Sequence, residues 1–246
     1  MRWVILFTLA AAVGAVAGID IAVMVCDAQA DWSEAMAYFA GEPRFDSVSF
    51  YDCRYSTPSP QEFSKHDVVI AGGSLLYGDR ELFGDRLADY VDQGGGVMVE
   101  SGGIIYDLYR GEGIGGRWHS DGYSPYPCDD FEYDVGFLDL TIDEPGHGIF
   151  EGAVGMWDVY RRAYVYSYQL RPEAVELAHY EMYQQSNLGG VAINAAQTVV
   201  AANFQAHDDH WWTGDGYLIM ANAACWLAAH SEVREMSWGE IKAQFE

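Results

Sequence analysis

The chain has 246 residues, half of them apolar and 15% aromatic, which suits an extensive core and excludes a disordered or fibrous polymer. Thirteen Lys and Arg stand against 37 Asp and Glu, a formal charge of −24. Phosphate backbones and anionic surfaces are repelled by such a chain, so nucleic acid is excluded as a partner and a neutral, hydroxyl-rich or cationic small molecule is favoured.

Residues 1–17 read MRWVILFTLAAAVGAVA: a basic Arg2, an apolar run from Trp3 to Val13, and an A-x-A signal at Ala15–Ala17. This is the pattern of a secretory signal peptide cut after Ala17. An uncleaved anchor needs about 20 apolar residues and would consume residues 19–25, which are rich in β-branched side chains and read as a strand. The expectation is a secreted or extracytoplasmic protein with no stable membrane anchor, residues 18–246 forming a single domain.

From residue 19 strands and helices alternate. Ile19–Val25 reads as a buried strand, Asp31–Phe39 as a short helix capped by Asp31, and Ser47–Tyr51 as a second strand. Ser59-Pro60-Gln61-Glu62 has the cap, N1 proline and capping-box glutamate of a helix start. Asp67–Ala71 is a third strand ending at Gly72-Gly73. Asp79–Asp92 is an amphipathic helix with Leu82, Leu87, Tyr90 and Val91 inward, closed by Gly94–Gly96. Val97–Glu100 is a fourth strand, followed by Ser101-Gly102-Gly103 and a helix-like Ile104–Tyr109.

Residues 110–133 interrupt the alternation with Gly, Pro, aromatics and acids, a length and composition that suit a functional loop. Further strands are expected at Val135–Ile142, Ala163–Gln169, Ala174–His179, Val191–Ala195 and Thr198–Phe204, and an apolar helix at Gly214–Ala229. The fold class is α/β, a doubly wound, mostly parallel sheet with helices on both faces. Export permits disulfides; Cys53 and Cys128 lie in loop-like surroundings and can pair, whereas Cys26 and Cys225 read as buried free thiols. No C-x-x-C spacing occurs.

Two blocks carry a resemblance. DVVIAGG (67–73) and YVDQGGGVMVESGG (90–103) resemble the central block of class I glutamine amidotransferase-like domains. HGIFEG (147–152), VVAANFQAHDDHWW (199–212) and the helix ending NAACWLA (222–228) are similar to the trehalose-utilisation (ThuA-like) branch of that superfamily. The resemblance covers most of residues 19–230 and implies a flavodoxin-like sheet with its active region above the strands' C-terminal ends, the edge where open α/β sheets bind ligands.

It also implies site residues. Ser101 stands on the turn where the family carries a cysteine nucleophile, with the N–H of Gly102 and the Gly72-Gly73 segment placed as an oxyanion hole. In the family a histidine and a glutamate follow a late strand; here Gln205 and His207 take those places, so glutamine amidotransfer is rejected. His207 and His210 remain candidate bases for a serine hydrolase. Ser101 can also be a small residue fitted to a tight turn, or a ligand-binding serine. Glu100 is a candidate base or hydroxyl acceptor, or an ion-paired edge carboxylate. His207-Asp208-Asp209-His210 invites a metal, but four adjacent residues rarely converge on one ion, so a polar loop is expected and no metal or cofactor is assigned. His147 reads as a structural turn residue.

Aromatics cluster in three segments, at Trp118–Tyr133, Trp157–Tyr166 and Trp211–Trp212. Interleaved with acids they suit a sugar-binding surface, against the alternative that they close the core. Trp118 and Trp211 are the ligand candidates because each neighbours a histidine, His119 and His210. The sequence thus leaves open a carbohydrate-binding or carbohydrate-processing domain, a serine hydrolase and a non-catalytic interaction domain. Nothing in it fixes an oligomeric state.

Overall fold

The computed structural model describes residues 18–107, 109–127, 133–163, 165–181, 187–206 and 211–230. The signal segment 1–17 and Cys128 lie outside the described residues. In chain order the elements are β1 (Ile19–Val25), α1 (Ser33–Gly41), β2 (Phe45–Asp52), α2 (Pro60–Phe63), β3 (Val68–Gly72), α3 (Arg80–Asp92), β4 (Gly96–Glu100) and α4 (Ser101–Ile104). They continue with α5 (Gly116–Ser120), β5 (Tyr133–Ile142), β6 (Met156–Ala163), β7 (Val175–Tyr180), β8 (Leu188–Ile193), β9 (Val199–Ala202), β10 (Thr213–Gly214) and α6 (Gly216–His230).

All strands join one sheet in the order β10-β6-β5-β7-β8-β9-β4-β3-β1-β2. The β2-β1-β3-β4-β9 half is parallel, and from β9 outward each successive pair is antiparallel. In the parallel half β1, β3 and β4 are apolar runs because both faces are covered. One face packs Phe39 of α1 and Ile219 and Leu227 of α6; the other packs Phe83 and Leu87 of α3 and Trp118 of α5. Helices therefore lie on both sides, as a doubly wound α/β sheet requires.

Capping chemistry sets several ends. Asp79 caps α3 by accepting the N–H of Leu82 at 3.0 Å, and Ser59 with Glu62 forms the expected capping box of α2. The helix expected from Asp31 begins at Ser33 instead: Asp31 closes the preceding turn, accepting the N–H of Ala28 at 3.1 Å. Leu82 is exposed and Phe83 takes the inward position. The helix-like Ile104–Tyr109 reduces to α4, a single turn that ends before Ile105 turns extended and Tyr106 bridges Gly113. The strand expected at Ala163–Gln169 is displaced to Met156–Ala163, and Ser167–Gln169 is a 3-10 turn.

The two C-terminal motifs clamp one another. Asn222 donates to the carbonyls of Ile149 (3.2 Å) and Glu151 (2.8 Å), and Trp226 packs on His147 with ring centroids 5.4 Å apart. His147 caps the Gly148–Phe150 turn, accepting from Ile149 N–H, so its role is structural as expected. Cys26, Cys53 and Cys225 are free thiols. The Cys53–Cys128 disulfide is therefore not formed: Cys53 is buried directly after β2, its thiol directed at the Tyr51 carbonyl, and burial pushes its pKa well up.

Candidate functional site

The chain leaves β1 towards β2 on one side and β3 towards β4 on the other, so the topological switch point lies between the C-terminal ends of β1 and β3. Four segments meet along this edge: Cys26-Asp27 after β1, Gly72-Gly73-Ser74 after β3, Glu100-Ser101-Gly102 after β4, and Asn203-Phe204-Gln205 after β9. The ladder extends past the strands, since Ser101 N–H donates to Phe204 O and Cys26 N–H to Gly72 O.

Glu100 is fully buried and organises the turn. Its Oε1 accepts the N–H of Gly73 at 2.5 Å and the N–H of Gly102 at 2.9 Å, and its Oε2 accepts the Ser101 hydroxyl at 3.1 Å. The two backbone donors assigned to an oxyanion hole both point at one atom, Glu100 Oε1, so this carboxylate occupies them. The glycines allow its approach. Gly72 and Gly73 have φ of +147° and +116°, and a Cβ on Gly72 would lie 2.1 Å from Glu100 Oε1. Tyr77 fastens the same segment, its hydroxyl accepting from Gly72 N–H and donating to Gly72 O.

Three further polar groups surround the switch point. Asp27, nearly fully buried, accepts Ser74 N–H at 2.9 Å and the Trp32 indole N–H at 3.2 Å. Gln205, at the family's histidine position, donates through its amide to Ser74 Oγ, while its Oε1 is buried without a partner. Cys26 donates to Leu75 O, and burial next to Asp27 raises its thiol pKa. Asp27 and Ser74 were not among the sequence candidates. A polar residue just past a buried strand is the signal that could have found Asp27.

Ser101 is buried beneath this network and its hydroxyl is committed to Glu100. His207 and His210, and the Asp208 and Asp209 between them, lie outside the described residues. Among the described residues no cluster of three or more His, Cys, Asp or Glu could hold a metal ion, and no helix is long and apolar enough to cross a membrane.

The aromatic candidates separate. Trp118 is only 2% exposed, stacked on Tyr123 (centroids 5.7 Å) between α5 and the sheet, so no open ring face remains for a sugar. His119 stacks on Tyr106 at 3.6 Å. Trp211 is half-buried on the antiparallel half, stacked on Tyr160 at 4.9 Å, which in turn meets Phe137 at 5.0 Å. Trp118 and His119 do share a small cavity with Gly103 and Ile104, immediately past the elbow.

No protein-family model and no curated protein matches the chain. Among solved structures it is similar to a ThuA-like protein from Bacteroides uniformis, at 13% identity and TM-score 0.63 over 89% of this chain and 95% of that one. A cytoplasmic protein from Salmonella typhimurium aligns at 11% identity and TM-score 0.61 over 84% and 98%. The glutaminase domain of the Trypanosoma brucei CTPS, solved with bound acivicin, aligns at 12% identity and TM-score 0.51 over 90% and 97%. With its sheet order, its strand-to-helix elbow and these likenesses, the chain has the class I glutamine amidotransferase-like fold, in the form seen in ThuA-like proteins.

Proposed function

We propose that the chain is an exported ThuA-like domain that binds a carbohydrate or similar neutral polar molecule and performs no acyl transfer at the elbow. The observation that carries the reading is the ring cluster Phe137–Tyr160–Trp211, in which Tyr160 stacks on Trp211 and meets Phe137 at a tilt of 45°, Phe137 being 67% exposed. A sugar ring presents an apolar face to such rings, while its hydroxyls seek the acceptors that a −24 chain supplies in excess. Hydrolysis at Ser101 is disfavoured because Glu100 already takes both backbone donors that an oxyanion would need. Export rests on residues 1–17. In support, β1 begins at Ile19, so a cut after Ala17 leaves the first strand whole.

The test is a glycan array probed with the wild type and with Trp211→Ala and Phe137→Ala. Binding by the wild type and a loss of about tenfold or more in either variant, 1.4 kcal/mol or above, supports the reading. No binding by the wild type, or equal binding by all three, overturns it. For export, N-terminal sequencing of the secreted protein should begin at Gly18, and an intact Met1 would refute cleavage.

A further inference from the structure

At the start of β1 the backbone meets a carboxylate. Ile19 N–H donates to the Arg44 carbonyl at 3.1 Å, which fixes the first strand residue against β2, and Gly18 N–H donates to Asp46 Oδ2 at 3.1 Å. Glycine lets the carboxylate close on the chain there, since a Cβ at position 18 would run into it. The neighbouring charges have their own partners. Asp20 accepts the Ser47 hydroxyl, Asp67 accepts the N–H of Asp20 at 2.8 Å, and Arg44 is held by Glu42 and by Asn222 Oδ1. Lys65 and His66 precede Asp67 in the chain; burial lowers the His66 pKa, and its Nε2 meets the Tyr51 hydroxyl at 3.2 Å.

A cut after Ala17 breaks the bond that makes the Gly18 nitrogen an amide. In the uncut chain that nitrogen is one neutral donor; after the cut it is an α-ammonium with three N–H groups and a full charge. We propose that Asp46 is the seat of the mature N-terminus, so that removing the leader turns a backbone hydrogen bond into an ion pair at the start of β1. This rests on the cleavage reading and adds what the cut does for the fold. The pair is exposed, where ion pairs contribute modestly. An amine so paired keeps its proton to higher pH than an unfolded one, whose ordinary value is about 7.7–8.0. The contribution is therefore complete below that range and is lost as pH rises through the folded value.

The test is an NMR pH titration, at constant ionic strength, of the ¹³C-glycine-labelled mature chain cut to begin at Gly18, which holds every strand and helix described above. The Gly18 signal is assigned as the glycine that titrates in this chain and not in one beginning at Ala17, where its nitrogen is again an amide. Asp46→Asn keeps an acceptor oxygen and removes only the charge. The titration midpoint should fall by about 0.2–0.7 pH in Asp46→Asn, the equivalent of an exposed ion pair. It should fall by no more than about 0.1 pH in Glu173→Gln, which removes one charge on the antiparallel half beyond the reach of salt-screened attraction. The dispersion of the remaining glycine signals reports that each variant is folded. A midpoint unchanged in Asp46→Asn, or lowered as much by Glu173→Gln, would overturn the seat. An intact Met1 on the secreted protein would overturn it by a separate route, through the cleavage on which it rests.

Discussion

Truncating Glu100 to alanine probes the elbow at its centre. The carboxylate is fully buried and takes three donors, the N–H groups of Gly73 and Gly102 and the Ser101 hydroxyl. The hydroxyl can rotate to another acceptor, but the two backbone donors are fixed by the turn. A buried donor left without a partner costs about 1–3 kcal/mol, so the pair sets a range of about 2–6 kcal/mol. Water entering the vacated space recovers part of this, giving an expected loss of about 3 kcal/mol. Glu100→Gln keeps an acceptor oxygen for both N–H groups and forfeits only charge assistance, an expected loss of about 1–2 kcal/mol. Urea unfolding at one pH, with m-values compared so that the midpoints are meaningful, measures both. An alanine variant within about 0.5 kcal/mol of wild type, the range of an ordinary surface substitution, would refute the assigned role. A glutamine variant as damaging as alanine would show that the hydrogen-bond count is the wrong basis.

Two further predictions concern the antiparallel half. Burial raises the Glu176 carboxyl above its ordinary value of 4.5, against the hydrogen bond from Tyr126 that lowers it. The folded state therefore binds more protons than the unfolded state from pH 4.5 upward, and stability must fall as pH rises through the folded value. The melting temperature of wild type relative to Glu176→Gln should decline between pH 4.5 and neutrality; a flat difference contradicts this. Asn203 is buried and joins the end of β6 to β8, accepting Ala163 N–H at 2.7 Å and donating to the carbonyls of Ala163 and Gly189. Asn203→Ala should cost about 2–3 kcal/mol, which at this size lowers the melting temperature by about 5–10 °C. A change under about 2 °C, well below that range, would show that the bridge is dispensable.

The parallel half was legible because its strands are short apolar runs bounded by glycine, as in Val68–Gly72, which ends on one, and Gly96–Glu100, which begins on one, and because its caps are local chemistry. The antiparallel half was harder. In β6, Asp158 adopts φ +55° and the pairing with β5 slips, so the alternation that would mark a strand is broken. The same strand hides a fully buried Arg162, tolerable only because its guanidinium lies 4.9 Å over the Tyr180 ring and donates to backbone carbonyls that the sequence cannot place. At the elbow the glycines and Glu100 were visible in the sequence. That the carboxylate fills the hole depends on the φ of Gly72 and Gly73 and on contact across 27 residues, neither of which a residue pattern encodes. Trp118 read as a ligand ring because it neighbours a histidine, and its burial against Tyr123 reverses that expectation.

Closure of the elbow by Glu100 is the claim on which the exclusion of acyl chemistry rests, and labelling of the full chain with a fluorophosphonate tests it most directly. Intact-mass and peptide mass spectrometry should find no adduct on Ser101, since its hydroxyl is buried on Glu100 Oε2 and the Gly73 and Gly102 donors are taken. A stoichiometric adduct on the Ser101 peptide would contradict the closure and restore the serine-hydrolase reading.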